Sequence, residues 1–394
     1  YPRGTSSESV NDHQNVKNVV LNCAKQFYPN LIVHSRVALS NQGSAVSVVS
    51  GCDWGFNEEE NLIVIEDDCL PTKAFFDFCK SNLNRNNSSY FLEKTHIINF
   101  NKIFSEMKVC GFSFVKNAIK YDYPIVEAIQ SILPICDHMV VAVGKSEDAT
   151  LDLIRGINSK KIEIIETVWD ENLREGGAVL AEETNKAFAA IGEEFDWCFY
   201  IQGDEVVHEK YHDHIKKQMQ FLLKNKNVEA LLFKFQHFYG SYDFVGDSRK
   251  WYRREVRIIR NDKNIHSWRD AQGFRKNKNK LRVKLINAEI FHYGWVKHPK
   301  HQQLKQKNFN KLWHSDDWVT EKVPDIDAFD YSEIDALKKF KGTHPKVMQE
   351  RIGKINWEFS FDPTRKKMNW KNYFLKKIED VFGWRIGEYR NYRF

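Results

Sequence analysis

From Met107 to Glu205, short apolar runs alternate with amphipathic stretches, and this alternation constrains the fold more than any other feature of the chain. MKVCGFSFV (107–115), HMVVAVG (138–144), KIEIIET (161–167) and DWCFYIQGDE (196–205) have the length and apolar content of strands. Between them, YDYPIVEAIQSIL (121–133), SEDATLDLIRGI (146–157) and GGAVLAEETNKAFAAI (176–191) read as helices, with Pro124 suited to a first turn. Strands separated by helices of this size pair in parallel, because each crossover brings the chain back to start in the same direction. The spacing therefore predicts βαβ units and an α/β fold with a mostly parallel sheet flanked by helices.

After Glu205 the alternation loosens. A helix is expected near 208–224 and strands near 228–238 and 254–260, followed by a basic, aromatic stretch to about 298. From 299 the sequence reads as a helical C-terminal region with a basic, aromatic tail. Before Met107 a separate segment repeats the strand–helix logic. Helices are expected at 13–26, 43–56 and 72–84, with strands at 30–36 and 61–66 and a polar join over 85–106. Three regions follow: 1–106, 107–298 and 299–394.

Composition narrows the class. With 42% apolar and 28% charged residues, the chain is neither collagenous, disordered nor a disulfide miniprotein. Lys and Arg number 59 against 53 Asp and Glu, and the resulting +6 is too dilute over 394 residues to mark a nucleic-acid binder. The seven scattered cysteines include no C-x-x-C pair, which fits reduced thiols in a cytoplasmic protein and gives no structural zinc site. No apolar run reaches the ~20 residues of a membrane span. The polar opening from Tyr1 does not read as a signal peptide, and is expected of a chain that begins inside a longer reading frame.

Acidic strand ends are the sharpest chemical feature. Asp204 and Glu205 follow the apolar run Cys198–Ile201, at the end of the sheet where open α/β folds bind ligands. Adjacent carboxylates repel unless a cation or a lysine neutralises them, and hard oxygen ligands beside a diphosphate suit Mg2+ or Mn2+. Glu66, Asp67 and Asp68 repeat the arrangement in the first segment. In VGKSEDAT (143–150), Ser146, Asp148 and Thr150 are placed to cap a helix or to contact a nucleotide, and Lys116-Asn117 lie at another strand end. Asp270 in WRDAQGF (268–274) is a candidate general base or the partner of Arg269 or Arg275. His292 is a candidate metal ligand or a core histidine, and Arg253, Arg254 and Arg257 are candidates to meet a phosphate or to form a solvated strand face. GxxxxGK[ST], G-x-G-x-x-G after a strand, HExxH and GxSxG are all absent.

In this ordered series, residues 107–394 resemble a family-2-type glycosyltransferase of the GT-A (Rossmann-like) fold. The resemblance is carried by FSFVKNAIKYDYPIVEAIQSILPICDHMVVAVGKSEDATLDLI, REGGAVLAEETNKAF, DWCFYIQGDEVVH, WRDAQGF, FHYGWV and FGWRIGEYRNYRF. It implies that Lys116 and Asn117 stand where the family has an Arg-Asn-Glu that helps hold the nucleotide, with Ala118 in place of the Glu. It further implies Ser146 and Asp148 near the base, and Asp204 with Glu205 as the Asp-x-Asp-type motif for metal and donor diphosphate. Asp270 would be the acidic base and His292 a C-terminal metal ligand. SNQGSAVSVVSGCDWGFNEEENLIVIEDDCLPTKAFFDFC resembles part of another bacterial GT-A-like glycosyltransferase group, so 1–106 is expected to be a partial second GT-A-like segment.

These readings lead to one expected activity: metal-dependent, inverting transfer of a sugar from a nucleotide-diphosphate-sugar to a saccharide or lipid-linked acceptor. Bacterial polysaccharide assembly is the setting that the resemblance implies. The tail from Arg365 to Phe394 would contact the inner membrane surface peripherally, or pack as a C-terminal helix. A non-catalytic nucleotide-sugar-binding remnant and a metal-dependent phosphodiesterase are the alternatives.

Overall fold

The computed structural model describes Met107–Phe394 except positions 171, 174, 324 and 365, together with two short strands further upstream. The chain folds as two compact units, Tyr1–Glu106 and Met107–Phe394. In the first unit Tyr90–Glu93 pairs antiparallel with His96–Asn99. Glu66, Asp67, Asp68 and the expected partial GT-A-like segment lie outside the described residues.

The second unit is mixed α/β. Its first half follows the alternation read from sequence: β1 (Val109–Val115), α1 (Ile125–Ile132), β2 (His138–Gly144), α2 (Thr150–Arg155), β3 (Ile162–Thr167), α3 (Ala178–Ala189) and β4 (Trp197–Tyr200). The strands lie side by side in the order β3-β2-β1-β4, all parallel. Successive residues feed opposite faces. On β2, Met139, Val141 and Val143 join α1 in one core, while Val140 and Ala142 join α3 in another. Both faces being covered is why β1, β2 and β4 are apolar at nearly every position.

Beyond β4 the sheet becomes mixed. The added elements are β5 (Glu205–Val207), α4 (His212–Leu222), β6 (Ala230–Tyr239), β7 (Ser241–Gly246) and β8 (Arg254–Arg260). They continue with a small antiparallel sheet of β9 (Ile265–Trp268), β10 (Gly273–Lys276) and β11 (Asn279–Lys280), and then the long β12 (Val283–Trp295). β8 is antiparallel to β4 and β6, and β12 runs parallel to β6 while pairing antiparallel with β5. The basic, aromatic stretch before residue 298 thus folds as strands. β8 is buried along nearly its whole length, where a half-buried strand was expected.

The C-terminal region is less uniformly helical than its sequence suggests. It holds α5 (Pro299–Lys311), α6 (Asp316–Lys322), α7 (Gln349–Gly353) and α8 (Trp370–Phe382), but β13 (Leu337–Lys339) adds an edge strand to the main sheet through β7. Among the described residues no helix is long and apolar enough to cross a membrane.

Candidate functional site

β1 and β4 are neighbours whose crossover helices pack on opposite faces, which opens a crevice beyond their carboxyl ends. A cavity of about 630 Å³ lies there, lined by Lys116 and Asn117 after β1 and by Gly203 and Asp204 after β4. Asp270, His292 and Lys305 complete it from three further elements.

One wall is the pair of loops after β1 and β2, which are sewn together. Asn117, buried and left-handed at φ 55°, donates its N–H to Ser146 Oγ (3.0 Å), and its Oδ1 accepts from Glu147 N–H (2.7 Å). Asp148 Oδ2 accepts from Lys120 N–H (2.7 Å), and Thr150 Oγ1 accepts from Ala118 N–H (2.7 Å). Ser146 therefore does not cap α2, and neither Ser146 nor Asp148 lines the cavity. Ala118, where the resembling family carries a Glu, is buried and presents no side chain to a ligand. Trp169, just past β3, lines the cavity with the Lys116 ammonium 5.4 Å from its ring centroid. Gly144 makes room for it, since a Cβ there would sit 2.4 Å from the indole nitrogen. Sequence reasoning passed over Trp169, although an aromatic residue directly after an apolar strand was the available signal.

The opposite wall carries the charges. The chain turns at Gln202-Gly203-Asp204, so the two adjacent acids meet different partners. Asp204 Oδ2 accepts from the Lys305 ammonium at 3.0 Å, and Oδ1 lies 3.7 Å from His292 Nε2. Burial opposes ionisation of Asp204, but the Lys305 ammonium, through its charge and its hydrogen bond, leads the neighbours that outweigh it and hold the carboxyl well below the usual range. Glu205 is fully buried and bidentate with Arg257, at 2.7 Å from Nε and 2.6 Å from Nη2. Arg257 also donates to Gln272 O (3.1 Å), so one guanidinium ties the acidic turn to the loop that bears Asp270. That settles two expectations differently. Glu205 is engaged by an arginine, and Arg257 faces a carboxylate instead of a phosphate. Arg253 likewise pairs with Glu388, both contacts being 2.9 Å.

His292 stands opposite both Glu205 and His237 in the strand register. His237 Nε2 lies 2.8 Å from Tyr252 O and must carry the proton, so its Nδ1 accepts from His292 Nδ1 at 3.2 Å. This leaves His292 Nε2 a bare acceptor turned to Asp204. Burial lowers the pKa of both rings, which fits the neutral forms.

Asp270 lies in the β9–β10 turn between Arg269 (φ 56°) and Ala271 (φ 60°), two non-glycine residues in left-handed conformation. Such outliers cost about 1–3 kcal/mol each and gather at functional sites. Gly177, itself at φ 73°, lets the turn approach: a Cβ there would lie 3.1 Å from Asp270 Cβ. Burial pushes the Asp270 carboxyl up, against backbone hydrogen bonds and the charges of Arg257 and Arg269. Its expected pairing with Arg275 is not what forms, because that arginine reaches Asn391 instead.

The three expected metal ligands do not assemble. Glu205 serves Arg257, Asp204 Oδ2 serves Lys305, and Asp204 Oδ1 with His292 Nε2 makes two donors beside an ammonium. Among the described residues no group of three or more His, Cys, Asp or Glu could hold a metal ion. With the Lys305 ammonium already seated on Asp204 Oδ2, a divalent ion there would meet like-charge repulsion, so the donor set as it stands does not fit a resident Mg2+ or Mn2+.

No family model matches the chain, and no curated protein does. Among solved structures it is similar to S. aureus TarS in complex with UDP (16% identity, TM-score 0.32, covering 51% of this chain and 64% of that one). It is also similar to a 4-diphosphocytidyl-2C-methyl-D-erythritol synthase from Anaerococcus prevotii (12%, 0.31, 50% and 92%). A third is glucosyl-3-phosphoglycerate synthase from Mycobacterium tuberculosis in complex with Mn2+, UDP and phosphoglyceric acid (16%, 0.24, 35% and 45%). The chain thus spans just under two thirds of the first of these, and its fold class rests on its own strand order.

Proposed function

We propose that this chain is a glycosyltransferase that moves a sugar from a nucleoside-diphosphate-sugar to an acceptor hydroxyl with inversion at the anomeric carbon. The observation that carries the reading is the meeting of Asp204 and Asp270 in one cavity at the switch point between β1 and β4. The first of these carboxylates is held ionised by neighbouring cations, and the second is raised by burial. Two acids pushed apart in this way suit separate tasks.

In this reading the β1 and β2 loops, with Lys116, Asn117 and Trp169, receive the nucleoside. Asp270 takes the proton of the acceptor hydroxyl, whose oxygen attacks the anomeric carbon as the bond to the diphosphate breaks. No step runs through a divalent ion, because the donor set does not fit one. The resemblance of the ordered motifs supports the same activity.

A thermal-shift panel of nucleotides and nucleotide-sugars, read with a transfer assay, tests it. A melting shift specific to a nucleoside diphosphate, with sugar release from the matching donor, is the expected result. Binding without any turnover would favour the non-catalytic reading, to which the buried Ala118 lends weight.

The acceptor side includes a surface. α8 is anchored through Glu379, which contacts Arg249 (3.2 Å) and Arg385 (2.9 Å), while Trp370, Phe374 and Val381 face outward on one side with Lys377. An anionic lipid surface bearing a lipid-linked acceptor fits this mixture. Flotation with anionic vesicles should be lost in Trp370→Ser/Phe374→Ser; unchanged flotation would remove the contact.

A further inference from the structure

We propose that Lys305, built into the site by α5, supplies the positive charge that meets the donor diphosphate, in the place where a divalent cation would otherwise sit. The inference rests on the transferase reading and deepens it.

Lys305 is not a passing surface lysine. Its side chain is 12% exposed, and its ammonium donates to Asp204 Oδ2 and to Gly294 O, both at 3.0 Å. Two of its three protons are placed by these acceptors and the Tyr123 ring centroid lies 5.1 Å away; no third oxygen among the described residues claims the remaining proton, which can meet a ligand in the cavity that Lys305 lines. The close approach is prepared by Gly294, where a Cβ would fall 2.6 Å from Asp204 Oδ2.

The helix beneath it is fixed. Lys297, fully buried, donates to Tyr121 O (2.8 Å), and His301 Nδ1 lies 3.1 Å from Lys120 O. Both contacts tie the base of α5 to the loop after β1. A divalent ion on Asp204 Oδ2 would have to displace an ammonium held by two acceptors, or bind beside it against like-charge repulsion. The ammonium balances the Asp204 carboxylate, so a diphosphate oxygen can take its remaining N–H as a charge-assisted hydrogen bond without the repulsion that a bare acid would raise.

The alternative acid does not rescue a metal, since Glu205 is locked to Arg257. Lysine therefore does in this site what its point-charge ammonium does well: it binds a phosphate oxygen without a demand for planar, bidentate geometry.

The test is calorimetric binding of UDP and GDP to the full chain, in EDTA and in Mn2+, for wild type, Lys305→Ala and Lys305→Arg. The wild type should bind equally in both buffers. Lys305→Ala should lose about tenfold or more in EDTA, the loss expected of a charged hydrogen bond. It should recover in Mn2+, because Asp204 and His292 then face a vacated point; Lys305→Arg should retain metal-free binding. A single cooperative melting transition in each variant would show that they fold. Wild-type binding that requires Mn2+, or Lys305→Ala binding as tightly as wild type in EDTA, would overturn the inference while leaving the transferase reading intact. A wild type silent to both nucleotides in both buffers would end the two together.

Discussion

The two walls of the cavity are made of similar residue types used in opposite ways. In the wall after β1 and β2, Asn117, Ser146, Asp148 and Thr150 direct their polar atoms at the backbone of the facing loop. In the wall formed by the β4 turn, the β9–β10 turn, β12 and α5, Asp204, Asp270, His292 and Lys305 direct theirs into the cavity. The first wall gives shape and the second gives reactivity. Polar residues at strand ends are therefore not interchangeable evidence of a site: in the first wall their atoms are used within the wall, and in the second Asp204, His292 and Lys305 meet one another's side chains at the cavity.

That contrast breaks most easily at Asp270. Asp270→Asn should lower kcat by about 10²- to 10⁴-fold while nucleotide affinity stays put, as loss of a general base does. Its raised carboxyl also sets the wild-type pH dependence. The base must be ionised, so transfer should fall on acidification with an inflection above the ordinary Asp range. A normal turnover number for the Asn variant would remove Asp270 as the base.

Next in size is the buried pair behind the reactive wall. Glu205→Gln leaves Arg257 charged and fully buried, and should cost about 3–5 kcal/mol in denaturant unfolding. The double variant Glu205→Leu/Arg257→Met should recover much of that stability. If the single variant matches wild type, Glu205 is not what holds Arg257 in place.

Glu255 sharpens the comparison from below the same wall. Burial pushes its carboxyl up to about 8, so the folded state keeps a proton that the unfolded state releases near the ordinary Glu value. Stability from this group is full below that ordinary value and is lost as pH rises towards 8. The slope is at most about 1.4 kcal/mol per pH unit. Glu255→Gln should flatten the fall in melting temperature between pH 5 and 8. A parallel fall in both proteins would assign the slope elsewhere.

The smallest effect belongs to the shaping wall. Ser146→Ala should cost about 1 kcal/mol, the worth of one hydrogen bond, and leave kcat within about twofold. Loss of turnover without loss of stability there would mean that Ser146 touches the ligand, and the division between the walls would fail.

Much of the parallel half was legible because burial on both faces writes itself as unbroken apolar runs. HMVVAVG predicts β2 at its observed bounds, and REVRIIR marks β8 although Arg257 and Arg260 are buried. β12 was not legible. Lys284, Asn287 and Glu289 interrupt its thirteen residues, and while β6 pairs with it from end to end, β5 joins its other side only at Ile290–His292. In the site, Asp204 could be placed from the end of an apolar strand, whereas Asp270 and His292 were candidates by residue type and by resemblance. The fate of Glu205 could not, because its partner lies 52 residues away. Lys305 gave no sign either, since it sits on a helix with a polar sequence and no motif.

The three cysteines of the parallel half have a practical consequence. Cys110, Cys136 and Cys198 are buried, and burial pushes the Cys110 thiol up to about 12 and raises the other two. A thiol in that state is a poor nucleophile, so a brief pulse of iodoacetamide on the native protein should leave all three unlabelled. Label found by mass spectrometry after such a pulse would then belong to Cys23, Cys52, Cys69 or Cys79. Under longer exposure, the appearance of label at the three buried positions becomes a clock for the opening of the sheet, kept by the sequence itself without an added probe.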